Sequence, residues 1–195
     1  MRKRSNAQAH CSSVRCKHLR STFPFVPAVV DAVPGIPVAA AGGVADGRGL
    51  AAALMLGADG VLVGTRFYAS QEAAGLQAAK DRIVAASGDR TIRGILFDIA
   101  RRNVWPAPYA GRVLCNDFSD RWYGREAQLL QHQDEEAARY DKARTEGDFN
   151  TAAVIAGEAV DLITDIPSAA EIISRMITEA EGLLAGASNR YRVAG

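Results

Sequence analysis

The residues best suited to chemistry are a glycine pair, Gly42-Gly43, and a glycine–threonine step, Gly64-Thr65. Each closes a short apolar run, Pro37 to Ala41 in one case and Gly60 to Val63 in the other. A turn built on glycine leaves bare backbone, so a ligand can come close without meeting a Cβ. Free N–H groups at a turn or a helix start suit an anion. The Thr65 hydroxyl can donate one more hydrogen bond, and Arg66 carries positive charge beside it. The alternatives are plain. Gly42 and Gly43 would serve only a turn, Gly64 only close packing, and Arg66 a surface pair with Asp59 or Asp46. Glycine turns on two consecutive strands favour the anion site over the turn and packing roles, and leave Arg66 open.

These turns must be held by a strand–helix–strand unit. The run before Gly42 is continuous and apolar, as a buried parallel strand reads. Asp46 is placed to cap a helix over Gly47 to Leu56, and Gly57 falls where a left-handed C-terminal cap belongs. Val61 to Val63 supplies the second strand. Parallel strands joined by a helix form a right-handed crossover, which puts both glycine turns at the same strand ends. In a (β/α)8 barrel, phosphate is bound in this place, by the loops after strands seven and eight.

The stretch from Val38 to Phe67 resembles the phosphate-binding end of the nitronate monooxygenase family, also called 2-nitropropane dioxygenases. The likeness continues through Lys80 to Asp89, Phe97 to Arg101, Trp105 to Tyr109 and Asp165 to Ile172, and covers roughly residues 21 to 187. The glycine-rich part is shared with other FMN barrels, including IMP dehydrogenases and flavin-containing enoyl reductases; the downstream segments favour nitronate monooxygenase. The resemblance implies FMN, with its phosphate held at Gly42, Gly43, Gly64 and Thr65, a nitronate substrate and O2, and oxidation to a carbonyl compound with release of nitrite. It also implies a flavin-bordering turn at Gly157-Glu158, although Glu158 alone reads as a solvated acid. Trp105 and Tyr109 either border the flavin or pack a loop.

The expected fold is therefore α/β: the C-terminal part of a (β/α)8 TIM barrel, its last two strands, with additional C-terminal helices. Too little chain precedes residue 36 for six further strands, since a whole barrel takes about 200 to 250 residues or more. The segments are read as an irregular stretch at 1–20, the partial barrel with its helical region at 21–187, and a tail at 188–195. A partial barrel should expose apolar surface along an unpaired strand edge and tend to self-associate.

Composition excludes several classes. The net charge of +1 gives no general case for nucleic acid or an anionic membrane. No apolar run approaches the roughly 20 residues of a membrane helix. Cys11, Cys16 and Cys115 are an odd, sparse set that points to a reducing, cytoplasmic setting without a disulfide framework. His10, Cys11, Cys16 and His18 do not match zinc spacing, and no metal site is expected. Residues 1–20 carry six basic residues and no acid, and lack the apolar core of a secretory signal; a misassigned start or a frameshift would also explain them.

No Ser/His/Asp arrangement or Cys/His pair supplies a catalytic base after residue 20, so the catalytic residues are not assigned. Two further functional readings stay open: a non-catalytic, N-terminally shortened chain with a vestigial phosphate site, and another FMN barrel enzyme such as an enoyl reductase.

Elsewhere the periodicity predicts a helix over Ser21 to Val33, and a helical stretch is expected from Ser70 to Ala86, either continuous or broken near Gly75, with Gln71-Glu72 in its first turn. Strand-like pieces are expected around Ile95 to Phe97. One long exposed helix, or two pieces, should run from Asp120 to Gly147, and a shorter helix to Ala159. Ser168 opens the clearest helix with a capping box to Glu171, and Ile172, Ile173, Met176, Ile177, Ala180, Leu183 and Leu184 fall on one face.

Overall fold

Asp46 accepts the Gly49 N–H at 3.0 Å through its side chain and so starts a helix where the sequence places one. In the computed structural model, which describes residues 20–105 and 109–190, with side chains through 187, this helix is α2, Gly47–Met55. It ends in a Schellman motif. The Gly57 N–H reaches Leu54 O and the Ala58 N–H reaches Ala53 O, with Gly57 at φ 91°.

Helix α2 joins β1, Ala39–Ala41, to β2, Gly60–Leu62. The strands pair in parallel, Ala39 opposite Gly60 and Ala41 opposite Leu62, as the sequence predicts. At the opposite end from the glycine turns, Val38 N–H donates to the Asp59 carboxylate and Asp59 N–H to Val38 O, each at 2.8 Å. Helix α1, Thr22–Ala32, precedes the unit and sends Val26 into its small core with Ala40, Ala53 and Ala58. Ser21 makes no side-chain cap; instead Thr22 donates its hydroxyl to Gly42 O at 3.0 Å.

The larger core lies in the second half, and the sequence reading needs correction there. A second sheet is present where only strand-like pieces near Ile95 were expected: β3, Thr91–Gly94, pairs antiparallel with β4, Gly111–Leu114. The strand is thus upstream of Ile95 to Phe97, and α5, Leu96–Ala100, buries Leu96 and Phe97 in the core. The expected helix from Asp148 to Ala159 is not formed. Residues 154–156 run along β4, with Leu114 N–H on Val154 O and Ala156 N–H on Arg112 O. Tertiary pairing overrides the helix preference of that alanine-rich segment.

Between Phe67 and Ala86 only α3, Thr65–Tyr68, and α4, Gln77–Val84, are helical. Gln71 and Glu72 are not in a helix start of their own. Gln71 N–H donates to Pro167 O, and the Glu72 carboxylate accepts the Ala169 N–H at the start of α9, Ala169–Arg190. The span from Asp120 to Gly147 holds parts of three helices, α6 (Asp117–Trp122), α7 (Glu126–Gln131) and α8 (Gln133–Glu146). It is not simply exposed, because Leu129, Ala137, Tyr140 and Ala143 are buried.

Helix α9 lies across α2. Gly47 is pressed against the backbone of Met176 and Ala180, and its N–H donates to the Glu179 carboxylate at 2.8 Å. Ile172, Met176 and Ala180 are buried, whereas Ile173, Ile177 and Leu184 are exposed, so the apolar face is narrower than the sequence pattern implies. Ser168 caps Glu171 N–H at 3.2 Å, but the Glu171 carboxylate pairs with Arg175. No helix among the described residues is long and apolar enough to cross a membrane. Residues 1–19, with His10, Cys11, Cys16 and His18, lie outside the described residues, as do 106–108 and 191–195.

Candidate functional site

Because Ala41 sits opposite Leu62, the next residues along both strands, Gly42-Gly43 and Val63-Gly64, leave the sheet at the same end. Gly42 and Gly43 adopt φ of 102° and 76°, a region that L side chains rarely enter, so glycine is required there by conformation. Gly64 differs. Its φ of −100° suits any residue, and a Cβ built on it would meet nothing within 4 Å among the described residues. Neither backbone nor packing calls for glycine at this position. The close-packing explanation for Gly64 is thereby set aside, and open space is left beside the backbone, as close approach of a ligand requires.

Thr65 opens α3, and its hydroxyl oxygen accepts the Gly157 N–H at 2.9 Å. With one lone pair used, the hydroxyl proton stays available to donate. This contact brings the segment after residue 156 to the glycine end of the parallel pair. Glu158, next to it, is paired with Arg112, which also donates to the Thr91 hydroxyl at 3.0 Å. Glu158 is therefore a solvent-exposed acid, as its sequence setting suggests, that also has an ion-pair partner. Trp105 and Tyr109 are each 44% exposed, so both are partly covered and partly open to solvent.

Arg66 pairs with neither Asp59 nor Asp46. Its side chain turns away into the protein, 5% exposed, with Nη1 donating to Asp165 Oδ1 at 3.0 Å. Nη2 donates to Asp165 O at 2.5 Å and to Ala69 O at 2.7 Å. Asp165 is shared with Arg175 at 2.5 Å, and these guanidiniums, Arg175 foremost, hold its carboxyl below the usual range. Sequence reasoning missed this pair, since nothing local links residues 99 positions apart. Two clefts are present elsewhere. One, about 560 Å³, opens at the N-terminal end of β1 around Pro34 to Val38; the other, about 170 Å³, lies between Asp46, Arg66, Asp165 and α9. Neither of these two includes the glycine turns, where Gly43 and Gly64 are solvent-exposed. No cluster of three or more His, Cys, Asp or Glu that could hold a metal occurs among the described residues.

A parallel pair with a crossover helix and glycine turns at shared strand ends defines an α/β protein with neighbours in the TIM-barrel family. FabK from Thermotoga maritima superposes with a TM-score of 0.76 at 30% identity, over 91% of this chain and 54% of that one. The chain belongs to the nitronate monooxygenase family, whose model matches residues 10–179. It is 38% identical over 176 residues to the nitronate monooxygenase npaC of Metarhizium robertsii, covering 87% of this chain and 49% of the relative. It is 34% identical over 150 residues to a nitronate monooxygenase of Neurospora crassa, covering 75% and 38%. The chain thus spans half or less of the length of these curated relatives. The family is one of oxidoreductases.

Proposed function

We propose that residues 21–187 form the C-terminal part of an FMN-binding (β/α)8 barrel, with β1 and β2 as its last two strands, and that the protein acts in FMN-dependent oxidation of nitronates with O2. In this reading the N–H groups of Gly42, Gly43, Gly64 and Thr65, with the Thr65 hydroxyl, hold the cofactor phosphate. The observation that carries it is the unfilled space at Gly64, at the shared ends of two parallel strands. Anion binding by such a turn needs no side-chain charge. Arg66 makes no direct contact in it, because its guanidinium is engaged by Asp165.

When bound, FMN supplies the redox chemistry. This chain's own residues bind and orient it, and none is assigned as the base. The unpaired outer edges of β1 and β2 among the described residues, with Leu62 42% exposed, support self-association. The free thiol of Cys115 fits a reducing, cytoplasmic setting.

A second reading, another FMN barrel enzyme such as an enoyl reductase, has the structural likeness to FabK in its favour. The purified chain, supplied with FMN, separates the two. Nitrite release from the anion of 2-nitropropane in air supports the first. Turnover of an enoyl thioester with a reduced nicotinamide, and no nitrite, supports the second. Neither activity, with FMN bound, would leave a phosphate site without catalysis.

A further inference from the structure

We infer that Arg66 is a positioning residue for the Gly64-Thr65 turn, with Asp165 as its anchor. Helix α3 has only four residues, too few to fix its own orientation by internal hydrogen bonds. What fixes it is the side chain that follows Thr65. The Arg66 fork holds the carboxylate and the backbone carbonyl of Asp165, and the carbonyl of Ala69 at the end of α3 itself. One planar group therefore ties both the start and the end of α3 to a single residue on another segment.

That anchor is itself braced. The second carboxylate oxygen of Asp165 takes Arg175 of α9, whose other nitrogen is on Glu171. Helix α9 in turn receives Glu72 at its first N–H and meets α2 at Gly47. The support under the Gly64-Thr65 turn is thus the same helix that packs on the crossover helix leading from Gly42-Gly43. The arrangement also carries a cost. Arg66 Nε is buried without a hydrogen-bond partner, and a methionine of similar length would fill the space without leaving a donor unmet. What methionine lacks is the fork, and lysine offers only a point charge.

The inference rests on the phosphate-site reading for its ligand arm only; its amide arm is independent. The experiment uses the full chain with Arg66→Lys, Arg66→Met and Asp165→Asn. Hydrogen exchange is followed at the Gly157 amide, which reports the place of Thr65, and at the Leu114 amide, which lies in β4. FMN is titrated in parallel. Arg66→Lys and Arg66→Met should speed exchange at Gly157 tenfold or more and leave Leu114 unchanged, with FMN bound at least tenfold more weakly. Asp165→Asn should show a smaller effect in the same direction, because the backbone carbonyl and one side-chain acceptor remain. If Arg66→Met does not fold, the lysine and asparagine variants carry the test. Faster exchange at Gly157 in the variants, with a wild-type chain that never binds FMN, would overturn the phosphate reading and keep the positioning role. Unchanged exchange at Gly157 in the folded variants would overturn the positioning role, whatever FMN does.

Discussion

The side-chain oxygen of Thr65 accepts the backbone N–H of Gly157 at 2.9 Å, joining the end of the parallel pair to a segment 92 positions away. Thr65→Val keeps the shape and removes the acceptor, so a partly buried N–H loses its partner. The expected loss is about 1 kcal/mol, with weaker FMN binding. Thr65→Ser should retain both. Urea unfolding of the two variants checks the difference; equal stability would mean the contact is incidental.

Gly47 sets the approach of α2 to α9. A Cβ there would lie 2.5 Å from Met176 O and 2.7 Å from Ala180 N, both backbone atoms that cannot step aside singly. Gly47→Ala should therefore cost about 1–3 kcal/mol by overpacking and lower Tm by several degrees, despite alanine's better helix propensity. Gly60→Ala, whose Cβ meets nothing within 4 Å among the described residues, is the control and should stay close to wild type. Differential scanning calorimetry on both decides it.

Asp165 makes stability depend on pH in a definite direction. Its carboxyl is held low in the folded protein, first by Arg175 and then by Arg66. The folded pKa lies below the unfolded one, so its contribution is full above the unfolded value and is lost as pH falls through the folded value. Asp165→Asn cannot titrate. The stability gap between wild type and Asp165→Asn should be constant near neutral pH and shrink in acid below the ordinary carboxylate range. A gap that widened in acid would reverse the assignment.

The βαβ unit was legible in the sequence because its signals are local: Asp46 at the cap, Gly57 at the left-handed end, and apolar runs ending in glycine. The glycine turns were legible for the same reason. What was not legible depends on long-range partners. Residues 154–156 have alanine-rich, helix-favouring neighbours, yet β4 takes their hydrogen bonds. Glu72 looks like a charge for its own helix start but caps α9 instead. Arg66 offered two nearby carboxylates, and the chain brings it a third, Asp165, which no local spacing announces.

Association should follow from the exposed edge. Leu62, 42% exposed on β2, is the residue to change. Sedimentation velocity at tens of micromolar should show oligomers for the wild type, and Leu62→Lys should reduce them, since a charge blunts an open strand edge. A wild type that sediments as a monomer throughout would contradict this.

The phosphate site is tested most directly by FMN titration of the intact chain beside Gly64→Val. The backbone at Gly64 tolerates valine and no described neighbour lies within 4 Å of its Cβ, so the fold should persist and circular dichroism should be unchanged. A branched side chain there would fill the space assigned to the phosphate. The account predicts that the wild-type chain binds FMN and that Gly64→Val weakens binding at least tenfold. Equal FMN affinity in the two chains, or no binding by the wild type, would contradict it.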